Sequence, residues 1–154
     1  MEDGILRLVV FTLDEKRYAL RLEAVERIVH IAEITPLPKA PEIVLGVVNV
    51  RGRVLPVVNI RRRFRLPERE DDPRDQFILA LTSRRSLAVV VDAVVGVVER
   101  AEKEIIPAES IVSNTEYVDG IVILADGLVL IHDLEKFLSL AEEKKLGKAL
   151  GADH

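Results

Sequence analysis

Apolar residues occur along this chain in short runs or alternating blocks separated by polar or glycine-containing bends, the spacing of β-strands rather than of long helices. Ile5 to Leu13 is apolar on both alternating faces and predicts a central strand. The charged turn Asp14-Glu15-Lys16-Arg17 leads into Tyr18 to Leu22, which alternates with one solvated side and completes a first hairpin. Glu23 begins a predicted short helical turn through Val25 and Ile28, followed by extended chain at Val29, Ile31 and Ile34. Pro36, Pro38 and Pro41 mark an irregular crossing.

Gly46 to Ile60, GVVNVRGRVLPVVNI, is the most informative stretch: two apolar runs, Val47 to Val50 and Val54 to Val58, flank a tight polar bend. With Asn49 first in a type I turn, Gly52 falls fourth, where a left-handed conformation is needed. This predicts a three-residue loop closed by a glycine bulge, because a two-residue loop forces a positive φ on Arg51. Arg51 is expected to be held outward at the tip. Asn59 is a predicted N-cap for a short helix with Ile60 and Phe64 on one face. Residues 65–76, RLPEREDDPRDQ, have the charge and proline content of a solvated joint, and a boundary is placed there.

The second half repeats the plan of the first. Phe77 to Thr82 and Leu87 to Val91 predict a hairpin, residues 87–94 answer 18–25 position by position, and Gly120 to Leu134 answers Gly46 to Ile60 without a gap. Two readings of this likeness stand: duplication into related β-units at about 5–64 and 77–148, or chance matching of valine-rich strands. Either unit alone is of a size at which a lone core is marginal. A final helix from Asp133 to about Lys148 is predicted to dock an apolar stripe of Leu134, Phe137, Leu138 and Ala141. The fold class expected is all-β with a short C-terminal helix.

Composition narrows the function. The 154 residues are 49% hydrophobic, enough for a folded core dominated by Val, Ile and Leu. A net charge of −4 argues against a bulk nucleic-acid binder. The absence of Cys removes disulfides, thiolate nucleophiles and thiolate metal sites together, and cytoplasm is the default compartment. Glu2 and Asp3 stand where a signal peptide carries positive charge, and no apolar run is long enough to span a bilayer, so neither secretion nor direct membrane insertion is expected. His30, His132 and His154 are scattered, and no zinc, phosphate-loop or nucleophile-elbow motif occurs. No cofactor, metal or catalytic residue is therefore expected; His132, just before Asp133, is read as part of a cap. Glu68, Glu70, Asp71, Asp72 and Asp75 lie in the polar joint, where solvation explains them.

Arg61, Arg62, Arg63 and Arg65 form one basic run, either a surface for an acidic partner or one neutralised by the acidic joint that follows. The bend carries sharper information. Val50-Arg51-Gly52 faces Leu124-Ala125-Asp126-Gly127 in the second unit, so the arginine is what the copies do not share. Arg51 is either a contact residue for something outside the fold or an ordinary turn charge paired with a nearby carboxylate.

These stretches resemble the CheW family, coupling proteins of bacterial chemotaxis. The resemblance rests on an ordered set: residues 11–13, 18–20, Val25-Glu26-Arg27-Ile28, Gly46-Val47-Val48-Asn49-Val50-Arg51-Gly52, Leu55-Pro56-Val57-Val58, Val91-Asp92-Ala93-Val94 and Gly120-Ile121. It implies two five-stranded, SH3-like barrels and a non-enzymatic cytoplasmic adaptor, recruited to membrane receptor arrays, that bridges a CheA-type histidine kinase to chemoreceptors. One surface of the first barrel is implied to meet the kinase's regulatory domain, and a groove between the barrels the receptor's helical tip. Carried onto matching positions, the implied partner-binding residues are Val25, Gly46, Asn49, Arg51, Gly52 and Val97. Core packing is the competing account of both valines. Arg27 and Asn59 depart from the family pattern, which has an acidic residue and commonly aspartate there. The other readings are an adaptor for a different histidine-kinase pathway, or a small β-barrel enzyme using carboxylates in the cleft between the units.

Overall fold

The computed structural model describes residues 4–70, 72–107, 117–125 and 127–151. Its strands are β1 (Ile5–Leu13), β2 (Lys16–Arg21), β3 (Val25–His30), β4 (Val44–Val50), β5 (Arg53–Val58), β6 (Gln76–Leu81), β7 (Ser86–Val91), β8 (Ala93–Ala101), β9 (Val118–Leu124) and β10 (Gly127–His132). Helix α1 (Ile60–Arg63) follows β5, α2 (Leu140–Ala149) ends the described chain, and single 3-10 turns occupy Leu22–Ala24, Glu102–Glu104 and Leu134–Lys136.

The strands form two five-stranded sheets, ordered β8-β1-β2-β10-β9 and β3-β6-β7-β5-β4. Each sheet curls shut where the chain beyond one edge strand bridges to the opposite edge: Ile106 pairs with Ile121 in the first, Thr35 with Val47 in the second. The expected all-β fold, two SH3-like barrels and a short C-terminal helix, is what the chain adopts. Each barrel is filled by its own apolar cluster, with Leu8, Val10, Val122 and Val129 in the first and Phe77, Leu79, Val48 and Leu55 in the second. A larger cluster spans the seam, joining Phe11, Tyr18 and Leu20 of the first barrel to Val58, Ile78 and Val89 of the second and to Phe137 and Leu146 of the C-terminal segment.

The barrels do not coincide with the halves of the chain. The first is built from β1 and β2 together with β8, β9 and β10; the second takes β3 to β7, so residues 65–76 join two elements of the same barrel. The division at 5–64 and 77–148 is corrected accordingly. Its basis survives in another form, because renumbering β1–β5 as β6–β10 turns one sheet order into the other. Registers agree as well: Ile131 lies opposite Ala19 in the parallel pair of the first barrel, and Val57 opposite Ala88 in the second. Val9 lies opposite Val97, and Ile78 opposite Ile28. Each half therefore donates its first hairpin to the other half's barrel. The physical reason is edge pairing: a two-stranded hairpin is marginal alone and takes whichever edge completes its ladder.

Three local expectations change. Val25–His30 is a strand rather than a continuation of a helical turn, because β6 supplies a hydrogen-bonding partner across Val25 to His30. The predicted single helix from Asp133 is broken: Asp133 caps one 3-10 turn, and α2 starts afresh where the Ser139 hydroxyl accepts from the Glu142 amide and the Glu142 carboxylate accepts from that of Ser139. Nor is the described part of the joint merely solvated. Asp75 is buried against Arg69, Arg62 binds Glu68 at 2.8 Å, and the Pro67 carbonyl accepts from Arg61 at 3.0 Å. Asp71 lies outside the described residues.

Candidate docking site

The bend between β4 and β5 is tighter than expected. Val50 pairs directly with Arg53, leaving Arg51 and Gly52 as a two-residue loop with φ of 53° and 89°. Two successive positive φ values are the signature of a type I′ turn, whose twist matches that of the flanking strands. Strand twist thus outweighs the strain at Arg51, whose unbranched Cβ tolerates the left-handed region at a cost. Asn49 supports the turn, its Oδ1 accepting from the Gly52 amide at 2.8 Å. Arg51 is exposed and has no ion-pair or hydrogen-bond partner among the described residues.

Arg51 stands at the open end of the second barrel. Arg53 reaches across that end to the Ser86 Oγ at 2.9 Å and the Glu26 carboxylate at 3.6 Å. Leu81, opposite Ser86, is 51% exposed, and Val54, opposite Asn49, is 58% exposed. Sequence reasoning missed Val54 and Leu81. They read as ordinary strand positions, and only strand order shows that they end a barrel.

The other implied contacts separate into surface and scaffold. Val97 is 53% exposed on β8, opposite the fully buried Val9 and with its neighbour Val98 turned into the barrel core. Its counterpart in the repeat is Ile28, which lies 36% exposed beside Ile78 at the seam. Val25 is half-buried against the seam cluster and matches Val94 in the repeat. Gly46 offers no surface. It is buried with φ of 156°, and a Cβ there stands 2.2 Å from the Thr35 carbonyl oxygen, at the bridge that closes the barrel. Gly120 occupies the same place in the first barrel, where a Cβ meets Ile105 Cγ2 at 2.5 Å.

The basic run is largely consumed within the fold: Arg61 binds Asp14 and Asp92, Arg62 binds Glu68, and Arg63 binds Glu142 and the Tyr117 hydroxyl. Carboxylate acidity runs against acid catalysis. Burial is the largest single effect on Asp92 and Glu142 and pushes both up, but the combined hydrogen bonds from Arg61, the Asp14 amide and Arg69 to Asp92, and from Arg63 and the Ser139 amide to Glu142, leave both lowered, while the Arg74 contact holds Asp72 at about 2. A general acid needs the opposite shift. His132 is buried among Tyr18, Phe64 and Phe137, stacked on Phe64 at 3.9 Å between centroids, and its Nδ1 lies 3.2 Å from the Tyr117 carbonyl. It is a core residue rather than part of the cap, which Asp133 forms. Burial, partly offset by that hydrogen bond, lowers its pKa to about 4. No group of side chains suited to a metal ion occurs among the described residues. None of the helices among them is long and apolar enough to cross a membrane.

The two joined barrels thus expose side chains in two regions: Arg51, Val54 and Leu81 at one end of the second barrel, and Val97 on a flank of the first. Residues 7–142 match the model of the CheW-like domain, and the chain belongs to that family. It is 26% identical to the chemotaxis protein CheW of Treponema pallidum over 95% of this chain and 89% of that one. Identity to the chemotaxis protein CheW of Rhizobium meliloti is 27%, covering 94% of each. Among solved structures, the scaffolding protein TtCheW from Thermoanaerobacter tengcongensis superposes with a TM-score of 0.82 at 28% identity, covering 90% of this chain and 96% of the other.

Proposed function

We propose that this protein is a non-catalytic cytoplasmic adaptor that couples chemoreceptors to a CheA-type histidine kinase in chemotaxis signalling. The observation that carries the reading is the family match across 7–142, nearly the whole chain. A coupling protein needs no bond-making chemistry. It binds two partners through separate surfaces, so that receptor geometry shifts the kinase's equilibrium.

Because Arg51 lies in the second barrel although it belongs to the first half of the chain, the kinase-side surface in this reading is the end of the second barrel, with Arg51 as its charged contact and the exposed Val54 and Leu81 as apolar contacts. Arg51 supports it twice over, by exposure and by a strained backbone where asparagine or glycine is the cheaper occupant. Gly52 and Asn49 act through the bend they shape. The exposed Val97 and its repeat counterpart Ile28, with Val25 packed against the seam cluster, are the receptor-side residues in this reading, to which an amphipathic helix lays its apolar face. Gly46 acts through barrel closure alone. Arg27 is exposed and reverses the charge familiar in the family, which calls for a matching change in the partner.

The test is co-sedimentation of the protein with its own kinase and a receptor cytoplasmic fragment, followed by a kinase assay. Joint sedimentation with altered kinase activity is expected. Failure to bind either partner overturns the adaptor reading.

A further inference from the structure

The chain passes between barrels at two corresponding places, and the seam is pinned near both. Beside one, the 3-10 turn after β10 sends Glu135 across to the β6–β7 turn, where its carboxylate accepts from the Ser83 amide and hydroxyl, each at 2.8 Å. Beside the other, α1 after β5 sends Arg61 across to the β1–β2 turn, binding Asp14 at 2.8 Å. Arg61 and Glu135 are counterparts in the repeat, as are Asp14 and Ser83. The two pins are not equal.

Arg61 also binds Asp92 through both carboxylate oxygens, at 2.8 and 3.0 Å, and its side chain is only 11% exposed. Asp92 is the residue between β7 of the second barrel and β8 of the first. It accepts from the Asp14 amide at 2.8 Å and from Arg69, which in turn holds the buried Asp75 at 2.6 Å just before β6. One carboxylate at the crossing thus ties a turn of the first barrel to α1, the joint and the entry to β6 in the second. A half-buried pair of this kind, with the Arg61 side chain 11% and the Asp92 side chain 24% exposed, is a weak device for stability but a good one for selecting a single arrangement, because its shielded half is costly to leave unpaired.

We propose that Asp92 and Arg61 are positioning residues that set the angle between the barrels, and with it the separation of the Arg51 and Val97 surfaces. The functional half of this statement rests on the adaptor reading. Asp92 touches neither surface; it acts by holding them in one geometry.

The chain has no cysteine, so Glu33→Cys and Ile123→Cys place one spin label on each barrel of the full-length protein. Double electron–electron resonance is expected to give one narrow distance in the parent and a broadened or shifted distribution with Asp92→Asn. Amide protection inside each barrel stays as in the parent. Kinase and receptor fragment, each alone, bind within twofold of the parent, whereas kinase stimulation by the ternary mixture falls at least tenfold. Glu135→Gln loosens the weaker pin, broadens the distance less, and serves as the readout if Asp92→Asn does not fold. An unchanged narrow distance in the folded variants overturns the proposal, as does a broadened distance with full kinase stimulation. A parent protein that binds neither partner overturns the adaptor reading instead, and leaves the spin-label result to judge the brace.

Discussion

Gly46 and Gly120 occupy the same place in the two barrels, each beneath the segment that bridges the open edges, whereas the hairpin tips just beyond them differ in chemistry. One tip carries Arg51 between Asn49 and Val54; the other has Ile123, Ala125 and Leu128, with Ile123 and Leu128 each more than half exposed. Positions that close a barrel are shared because both barrels face the same packing problem. Positions that close nothing diverge, and that divergence is the ground on which Arg51 is proposed as a partner contact.

The comparison breaks most readily at the shared glycines. Gly46→Ala is expected to cost at least about 3 kcal/mol in denaturant unfolding, since the new methyl meets a backbone carbonyl and φ is positive. Gly120→Ala meets the Cγ2 branch methyl of Ile105 at 2.5 Å, with the Ile106 carbonyl oxygen farther off at 3.3 Å, and costs about 1–3 kcal/mol. Equal losses at both sites contradict the closure geometry.

A second asymmetry lies at His132, which stands where the other barrel has Val58. Its folded pKa of about 4 lies below the ordinary 6.5, so the unfolded chain binds the proton first and stability falls as pH drops from about 6.5 to about 4. The loss across that window is on the order of 3 kcal/mol. His132→Val is expected to flatten the melting temperature over this range, and an unchanged slope assigns the dependence to other groups. Asp92, with its pKa held down by Arg61, contributes a separate loss that begins only below the ordinary value of 3.8.

Smaller effects sharpen the difference between the tips. Gly52→Val forces a β-branched residue to φ of 89° and is expected to cost about 1–2 kcal/mol, with no steric contribution because the site is open. Arg51→Ala is expected to change stability by no more than about 0.5 kcal/mol while weakening the kinase complex about tenfold, read by calorimetric titration. A large stability loss with normal binding makes Arg51 structural.

Much of the architecture was legible in local pattern. Ile5–Leu13 reads directly as a strand, the Asn59 cap is present with its side chain accepting from the Arg62 amide, and the repeat reappears in the registers. The bend was half legible: its residues were identified, but not its type, because the twist that selects a type I′ turn belongs to the strand pair. Gly46 shows the same limit from the other side. A glycine in a family motif reads as a contact, and only the approach of Thr35 reveals it as a closure point.

Period, capping and turn chemistry lie within a few residues of one another, so the sequence by itself determined most of the strands, though not Val25–His30 or Ala93–Ala101, offered the repeat as one of two readings, and showed that the two bends differ at Arg51. Which strand lies beside which was decided by the tertiary structure. β1 finds β8 some ninety residues away, with Arg7 pairing to Glu99, and β3 finds β6, because a hairpin completes whichever open edge buries its apolar face. That exchange put Asp92 at a crossing between barrels and Arg51 at the mouth of one of them, placements that no local pattern encodes.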